Sequence, residues 1–315
     1  MAPVRIFAQA LEEGWLDGRL ARAAEGAWGR VATRRLVKTL TWRDGARVVA
    51  IGGATLGGSG KTPLAIACAR AFAEGGARVA LVGHAYRGRA GLHGPARVVT
   101  PADRVGDVGD EALACVRALP AVPVVVAPTR QAALDLALTL ADVAILDGVH
   151  QTSPRAWLAL LAVDAISPWG AGACPPCGDL RAPREELLHL ADRVVPIAGI
   201  SRGAFVDGHL VPWGVLRQKS VGLVTALARP TRVLATLRAH AVEPRLVRTF
   251  SDHGRFRVPF AAGIDLWLTT SKCRESLMRS AREGVALGVI DYELALPCET
   301  WKGPLDPYPR GVLPS

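Results

Sequence analysis

Residues Val49 to Pro63 read VAIGGATLGGSGKTP, an apolar run that enters a glycine cluster and ends in Gly-Lys-Thr. Gly57, Gly58 and Gly60 lack a Cβ, so the backbone there can curl closely around phosphate oxygens. Lys61 is spaced to reach the β- and γ-phosphates of a nucleotide, and the Thr62 hydroxyl to ligate Mg²⁺. The strict phosphate-loop pattern is G-x-x-x-x-G-K-[ST]; counting back from Gly60, its first glycine falls on Thr55. The competing reading is an ordinary Gly-rich strand–helix turn. Nucleotide binding is preferred because a β-branched run precedes the loop and helical spacing follows it. Helix N-termini carry unpaired N–H groups and partial positive charge.

Other residues have types suited to the same chemistry. Val143-Ala-Ile-Leu-Asp147 is a hydrophobic strand ending in an acid, as in a Walker B element whose aspartate holds Mg²⁺ directly or through water. Gly109-Asp110-Glu111 precedes a helical stretch. Asp110 there either caps the helix or acts as a general base toward a substrate hydroxyl. His253, in FSDHGRF, and Arg181, in CGDLRAPR, are ambiguous when taken alone. Cys174-Pro-Pro-Cys177 is a single CxxC; a structural zinc site needs two further ligands, and no second CxxC exists.

The elements that must position these residues alternate. Strand candidates are 46–51, 77–83, 95–99, 122–126, 142–147, 158–163 and 192–197, with helical stretches between several of them. The fold class expected is α/β: a P-loop NTPase-like parallel sheet flanked by helices, with ligands at the carboxyl ends of the strands. A Pro- and Gly-rich loop covers 168–184. After about 200 the pattern resets into a second, smaller α/β unit. A short strand pair over 203–217 turns at Asp207-Gly208. It is followed by strands at 221–226, 245–250, 264–269 and 286–291 and helices at 230–241 and 271–283. The organisation predicted is 1–40, an amphipathic helical segment; 41–200, the nucleotide-binding domain; and 201–315, a smaller domain closing over the cleft.

Net charge is +10 and the pI about 9.9, which suits an acidic partner such as a nucleotide, a nucleic acid or an anionic membrane surface. No helix-turn-helix, RNA-binding aromatic pattern or zinc finger supports nucleic acid. No run of eighteen apolar residues is present, and Glu12, Glu13 and Asp17 interrupt any signal-peptide core. A cytoplasmic protein with reduced thiols is expected, with no obligate protein partner evident. Within 1–40, Ile6, Leu11, Trp15, Leu20, Trp28, Val31 and Leu36 alternate with Arg19, Arg22, Arg30, Arg34, Arg35 and Lys38. Such a segment either lies in a membrane interface or packs on the body of the protein.

Taken in order, these segments resemble the tetraacyldisaccharide 4'-kinase family, the lipid A kinases of Gram-negative bacteria, over roughly residues 10–300. Gly57 to Pro63 looks like its GGTGKTP loop, and Thr55 fits as well. GHAYRG (Gly83 to Gly88) partly matches its Ser-Arg-Gly-Tyr-Gly-Gly turn, and Gly109 to Ala112 its Gly-Asp-Glu-Pro segment. LDGVHQ (Leu146 to Gln151) resembles Asp-Asp-Gly-Leu-Gln-His, and PCGDLRA (Pro176 to Ala182) resembles Pro-Ala-Gly-Pro-Leu-Arg-Glu. ALARPTR (Ala226 to Arg232) and FSDHG (Phe250 to Gly254) follow its later motifs.

The resemblance implies ATP- and Mg²⁺-dependent phosphorylation of the 4'-hydroxyl of an acylated disaccharide precursor of lipid A. It makes Asp110 the general base, steered by His253, with Lys61 catalytic. Thr55, Gly57, Gly58, Ser59, Gly60, Lys61, Thr62 and Arg181 would hold the nucleotide, and Thr62 and Asp147 the metal. It also implies docking of the N-terminal helix on the cytoplasmic face of the inner membrane.

The departures are Leu146 in place of one acid, the inverted order of His150-Gln151, Gly254 for a histidine, and Cys273 for an acid. They leave two alternatives: a non-catalytic membrane-associated paralogue, and a differently specialised P-loop NTPase such as a metallochaperone, to which the CxxC would be suited.

Overall fold

The computed structural model describes residues 10–85, 88–226, 230–250, 263–278, 285–291 and 293–294. The chain divides into two compact units, one over 9–198 and the other over 199–293.

The first unit is built on seven strands: β2 (Arg47–Gly53), β3 (Val79–Val82), β4 (Arg97–Val98), β5 (Val124–Val126), β6 (Val143–Asp147), β8 (Leu158–Asp164) and β9 (Arg193–Ile197). Their order is β4-β5-β3-β6-β2-β8-β9, parallel except for β4 against β5. The runs are apolar throughout because both faces are covered. Odd positions such as Val49, Ile51, Leu81 and Ile145 pack against α2 (Lys61–Glu74) and α3 (Asp110–Ala118). Even positions such as Val48, Ala50, Val82 and Leu146 pack against α4 (Arg130–Leu140). Because β2, β3 and β6 run parallel, the loops that follow them emerge together at the carboxyl ends of the strands.

The N-terminal segment differs from the helix expected across 1–40. Among its described residues a helix, α1 (Arg19–Leu36), ends at Val37, and Val37–Thr39 forms a short strand, β1, parallel to β7 (Gln151–Ser153). Only Gly29 and Leu36 of α1 are buried. Leu36 joins Ala54, Leu161, Leu180 and Leu187 of α5 (Arg184–Leu190) in a small apolar cluster. The apolar residues Trp15, Leu20, Trp28 and Val31 face solvent. No helix among the described residues is long and apolar enough to cross a membrane.

The second unit has six strands ordered β11-β10-β15-β14-β12-β13: β10 (Gly203–Val206), β11 (His209–Pro212), β12 (Val221–Thr225), β13 (Leu246–Thr249), β14 (Leu266–Thr269) and β15 (Leu287–Ile290). β10 and β11 form the expected hairpin, with Asp207 and Gly208 both at positive φ. The strand pair stops at Pro212, and Trp213–Leu216 is a single helical turn. Helices α6 (Pro230–Ala239) and α7 (Ser271–Met278) connect the parallel strands.

Candidate active site

β2 feeds the Gly-rich loop, and α2 begins at Lys61 directly after it. Gly60 takes φ +82°, and an added Cβ would fall 2.6 Å from the Ile197 side chain, so no other residue fits there without strain. No side chain caps the N-terminus of α2, which leaves its first amides for an anion. Within the loop the Thr55 hydroxyl donates to Gly57 O at 2.8 Å. The Ser59 hydroxyl is buried with no partner.

A second segment is strapped to this loop. Leu56 N donates to Asp179 O and Arg181 N to Ala54 O, both at 2.9 Å, and Thr55 bridges Leu180 in antiparallel fashion. The strap carries Arg181 to the loop, where its Nη2 reaches Leu56 O at 3.4 Å. The Arg181 Nε is buried and unpartnered, and burial lowers the guanidinium pKa from its ordinary value.

Asp147, at the end of β6, lies under the start of α2. Its Oδ2 accepts a 2.7 Å hydrogen bond from the Thr62 hydroxyl, while its Oδ1 is buried without a partner. Burial pushes the Asp147 carboxyl up, the Lys61 charge and the Thr62 hydrogen bond pull it down, and Glu111 pushes it up again. A hydroxyl beside a half-satisfied buried carboxylate is an oxygen donor set that suits a hard divalent cation. Leu146 does not belong to this set. It is fully buried and turned to the opposite face of the sheet, among Val82, Ala133 and Leu134, so its position lies on the α4 side, away from Thr62.

Asp110 stands at the first residue of α3, after Gly109 at φ +87°. Its Oδ1 accepts from Glu111 N at 3.0 Å. The start of α3 lies by the carboxyl end of β3, since a Cβ at Gly83 would come 3.9 Å from that of Ala112. The structure thus gathers Thr55, Gly57, Gly58, Ser59, Gly60, Lys61, Thr62, Asp147 and Arg181 at one loop. Asp110 lies two strand positions along the sheet from that loop, by the end of β3, and His253 lies outside the described residues.

Three further residues join the site. Arg130, at the start of α4, donates to Gly83 O at 3.0 Å and to Asp147 O at 2.6 Å, tying the ends of β3 and β6 together. Glu111 acts electrostatically on both Asp147 and Arg130. His84 follows β3 and is exposed at its surface, yet the part of its ring that is withdrawn from water, then the charges of Arg130, Lys61 and Arg181, lower its pKa to about 3. His84 and Glu111 lie within motifs already singled out, whereas nothing in the spacing around Arg130 marks it.

Two other motif residues are structural. His150 is buried, its Nε2 on Gly53 O at 3.0 Å and its pKa lowered by burial to about 4. Gln151 bonds Leu190 O, Thr152 N and Ala156 N. Cys174 and Cys177 are buried free thiols, that of Cys174 pushed up to about 11 by burial and by Glu25 and Glu185. No cluster of three metal-ligating side chains occurs among the described residues.

The chain is similar to known proteins. The chain is 33% identical over 311 residues to a tetraacyldisaccharide 4'-kinase of Methylobacterium sp. (strain 4-46), covering 89% of this chain and 90% of the relative. It is 32% identical to one of Anaeromyxobacter sp. (strain K), covering 90% and 87%. A solved structure of LpxK from Aquifex aeolicus in complex with ATP shares the fold, with a TM-score of 0.68 and 19% identity over 91% of this chain and 97% of that one. The family model for tetraacyldisaccharide-1-P 4'-kinase (LpxK) matches residues 20–267, from α1 through β14, and the chain belongs to that family.

Proposed function

We propose that the chain transfers the γ-phosphoryl group of ATP to the 4'-hydroxyl of a tetraacyldisaccharide 1-phosphate, a step in lipid A biosynthesis. The 2.7 Å contact between Thr62 and Asp147 beneath the Gly-rich loop supports this reading within the family, because a hydroxyl and a carboxylate stand together where a triphosphate and its cation would sit. Lys61, the loop amides, Ser59 and Arg181 bind and orient the triphosphate. Thr62 and Asp147 are the residues that would hold Mg²⁺, which when bound offsets negative charge on the β- and γ-phosphates. Asp110 accepts the proton of the attacking hydroxyl. The orienting role of His253 toward Asp110 belongs to the same proposal and is tested by His253→Ala.

The exposed tryptophans and arginines of the α1 region support peripheral docking on the anionic cytoplasmic face of the inner membrane, where an acylated acceptor would reside. The experiment is phosphate transfer from ATP, with Mg²⁺, to a tetraacyldisaccharide 1-phosphate in detergent micelles, beside Lys61→Ala. Transfer in the wild type and none in the variant is expected. Nucleotide binding without transfer would overturn the reading.

A further inference from the structure

His84 has no part in the transfer scheme above, yet it stands within it. Across the sheet the strand ends run β3, β6, β2: the strand before His84, the strand ending in Asp147, and the strand feeding the phosphate loop. The start of α3, with Asp110, lies at the end of β3. His84 therefore occupies the interval between the phosphate loop and the proposed base.

The ring is seated by fit. A side-chain carbon added at Gly148 would fall 2.8 Å from His84 Nε2 and 3.4 Å from Arg130 Nη2. Gly148 takes φ +79°, so the backbone turns away just where the ring needs room. His84 is exposed to solvent. Charged groups act on it from three elements: Arg130 on α4, Lys61 on α2 and Arg181 on the strap. The carboxylates of the same region, Asp147 on β6 and Glu111 on α3, act on Arg130. A neutral imidazole set among three cations, and exposed to solution, offers a ring N–H where an oxygen-rich anion would be drawn.

We propose that His84 contacts the phosphoryl group in transfer, donating a ring N–H to one of its non-bridging oxygens. The proposal rests on the kinase reading. In that step the acceptor oxygen bonds to the γ-phosphorus, the bond from phosphorus to the β,γ-bridging oxygen breaks, and the acceptor proton passes to Asp110. His84 gains and loses no proton overall; it stabilises charge on the equatorial oxygens. An arginine placed here would meet the same oxygens with a permanent charge.

The test uses the full chain and His84→Ala, His84→Gln and His84→Arg. Calorimetry compares Mg²⁺-ADP with Mg²⁺-AMP-PNP. His84→Ala is expected to weaken AMP-PNP binding about tenfold and leave ADP within about twofold, as for loss of one charge-assisted hydrogen bond to the terminal phosphate. In the transfer assay kcat/KM should fall roughly 10- to 100-fold in His84→Ala and recover in His84→Arg, as loss and return of a transition-state donor would do. Equal losses for both nucleotides, accompanied by a lower melting temperature and no recovery with arginine, would make the ring a structural support and overturn the proposal. Unchanged AMP-PNP binding would overturn it too. A wild-type chain that fails to phosphorylate the disaccharide would sink the kinase reading instead, and the nucleotide pair would still decide His84.

Discussion

With 1% of its surface exposed, one carboxylate oxygen on Thr62 and the other without a partner, Asp147 sits where burial favours the protonated acid. Its pKa is raised on folding, so this group's contribution to stability is largest when it is protonated and declines as pH rises. Asp147→Asn should therefore raise the melting temperature of the nucleotide-free protein at neutral pH, and the stabilisation expected of the wild type with Mg²⁺-ATP should be lost. A nucleotide-free variant that melts lower than wild type would refute the argument. His150 works in the opposite sense. Its folded value of about 4 lies below the ordinary 6.5, so the unfolded chain binds more protons between them. Stability is then present above pH 6.5 and drains away as pH falls toward 4, by up to ~1.4 kcal/mol per pH unit. His84 adds to the same trend. Urea midpoints against pH should flatten in His150→Gln; an unaltered profile would remove His150 from the account.

Elements carry the next constraint, and Gly60 shows it. An alanine there must hold φ +82° and also displace Ile197, a strain of about 1–3 kcal/mol. Gly60→Ala should lower the melting temperature and weaken nucleotide binding together, by calorimetry on one preparation. The strands of the first sheet are legible in the sequence because strands buried on both faces read as unbroken Val, Ile, Leu and Ala. The phosphate loop and Asp147 are legible because their spacing and strand context are local. β1 and β7 are not: VKT and QTS carry little strand signal, and their pairing spans more than a hundred residues. Nor is the company of Arg130 and Glu111, which depends on the order of strands in the sheet. The Leu146 position misleads when read as a lost ligand, since alternation along β6 sends neighbouring side chains to opposite faces.

At the scale of the molecule, the surplus of basic charge concentrates where apolar residues are also exposed. Arg30, Arg34 and Arg35 of α1 face solvent alongside Trp28 and Val31. Replacing the three arginines by alanine should weaken binding to anionic vesicles by about 3 kcal/mol, on the order of 100-fold, since each basic side chain near such a surface is worth about 1 kcal/mol. Raising salt should mimic the effect in the wild type, and neutral vesicles should hardly distinguish the two proteins. Sedimentation with vesicles measures all three; equal binding of both proteins to anionic lipid would exclude the docking role.

The strap between residues 179–181 and 54–56, with Ile197 seated against Gly60, bears on how the protein is made. The nucleotide loop leaves the ribosome early, but the pieces that shape it arrive more than a hundred residues later. A nascent chain halted before Asp179 owns the whole phosphate motif and lacks its frame. ATP recognition should therefore switch on late in synthesis, once β9 has been added, so that unfinished chains do not capture the cell's nucleotide.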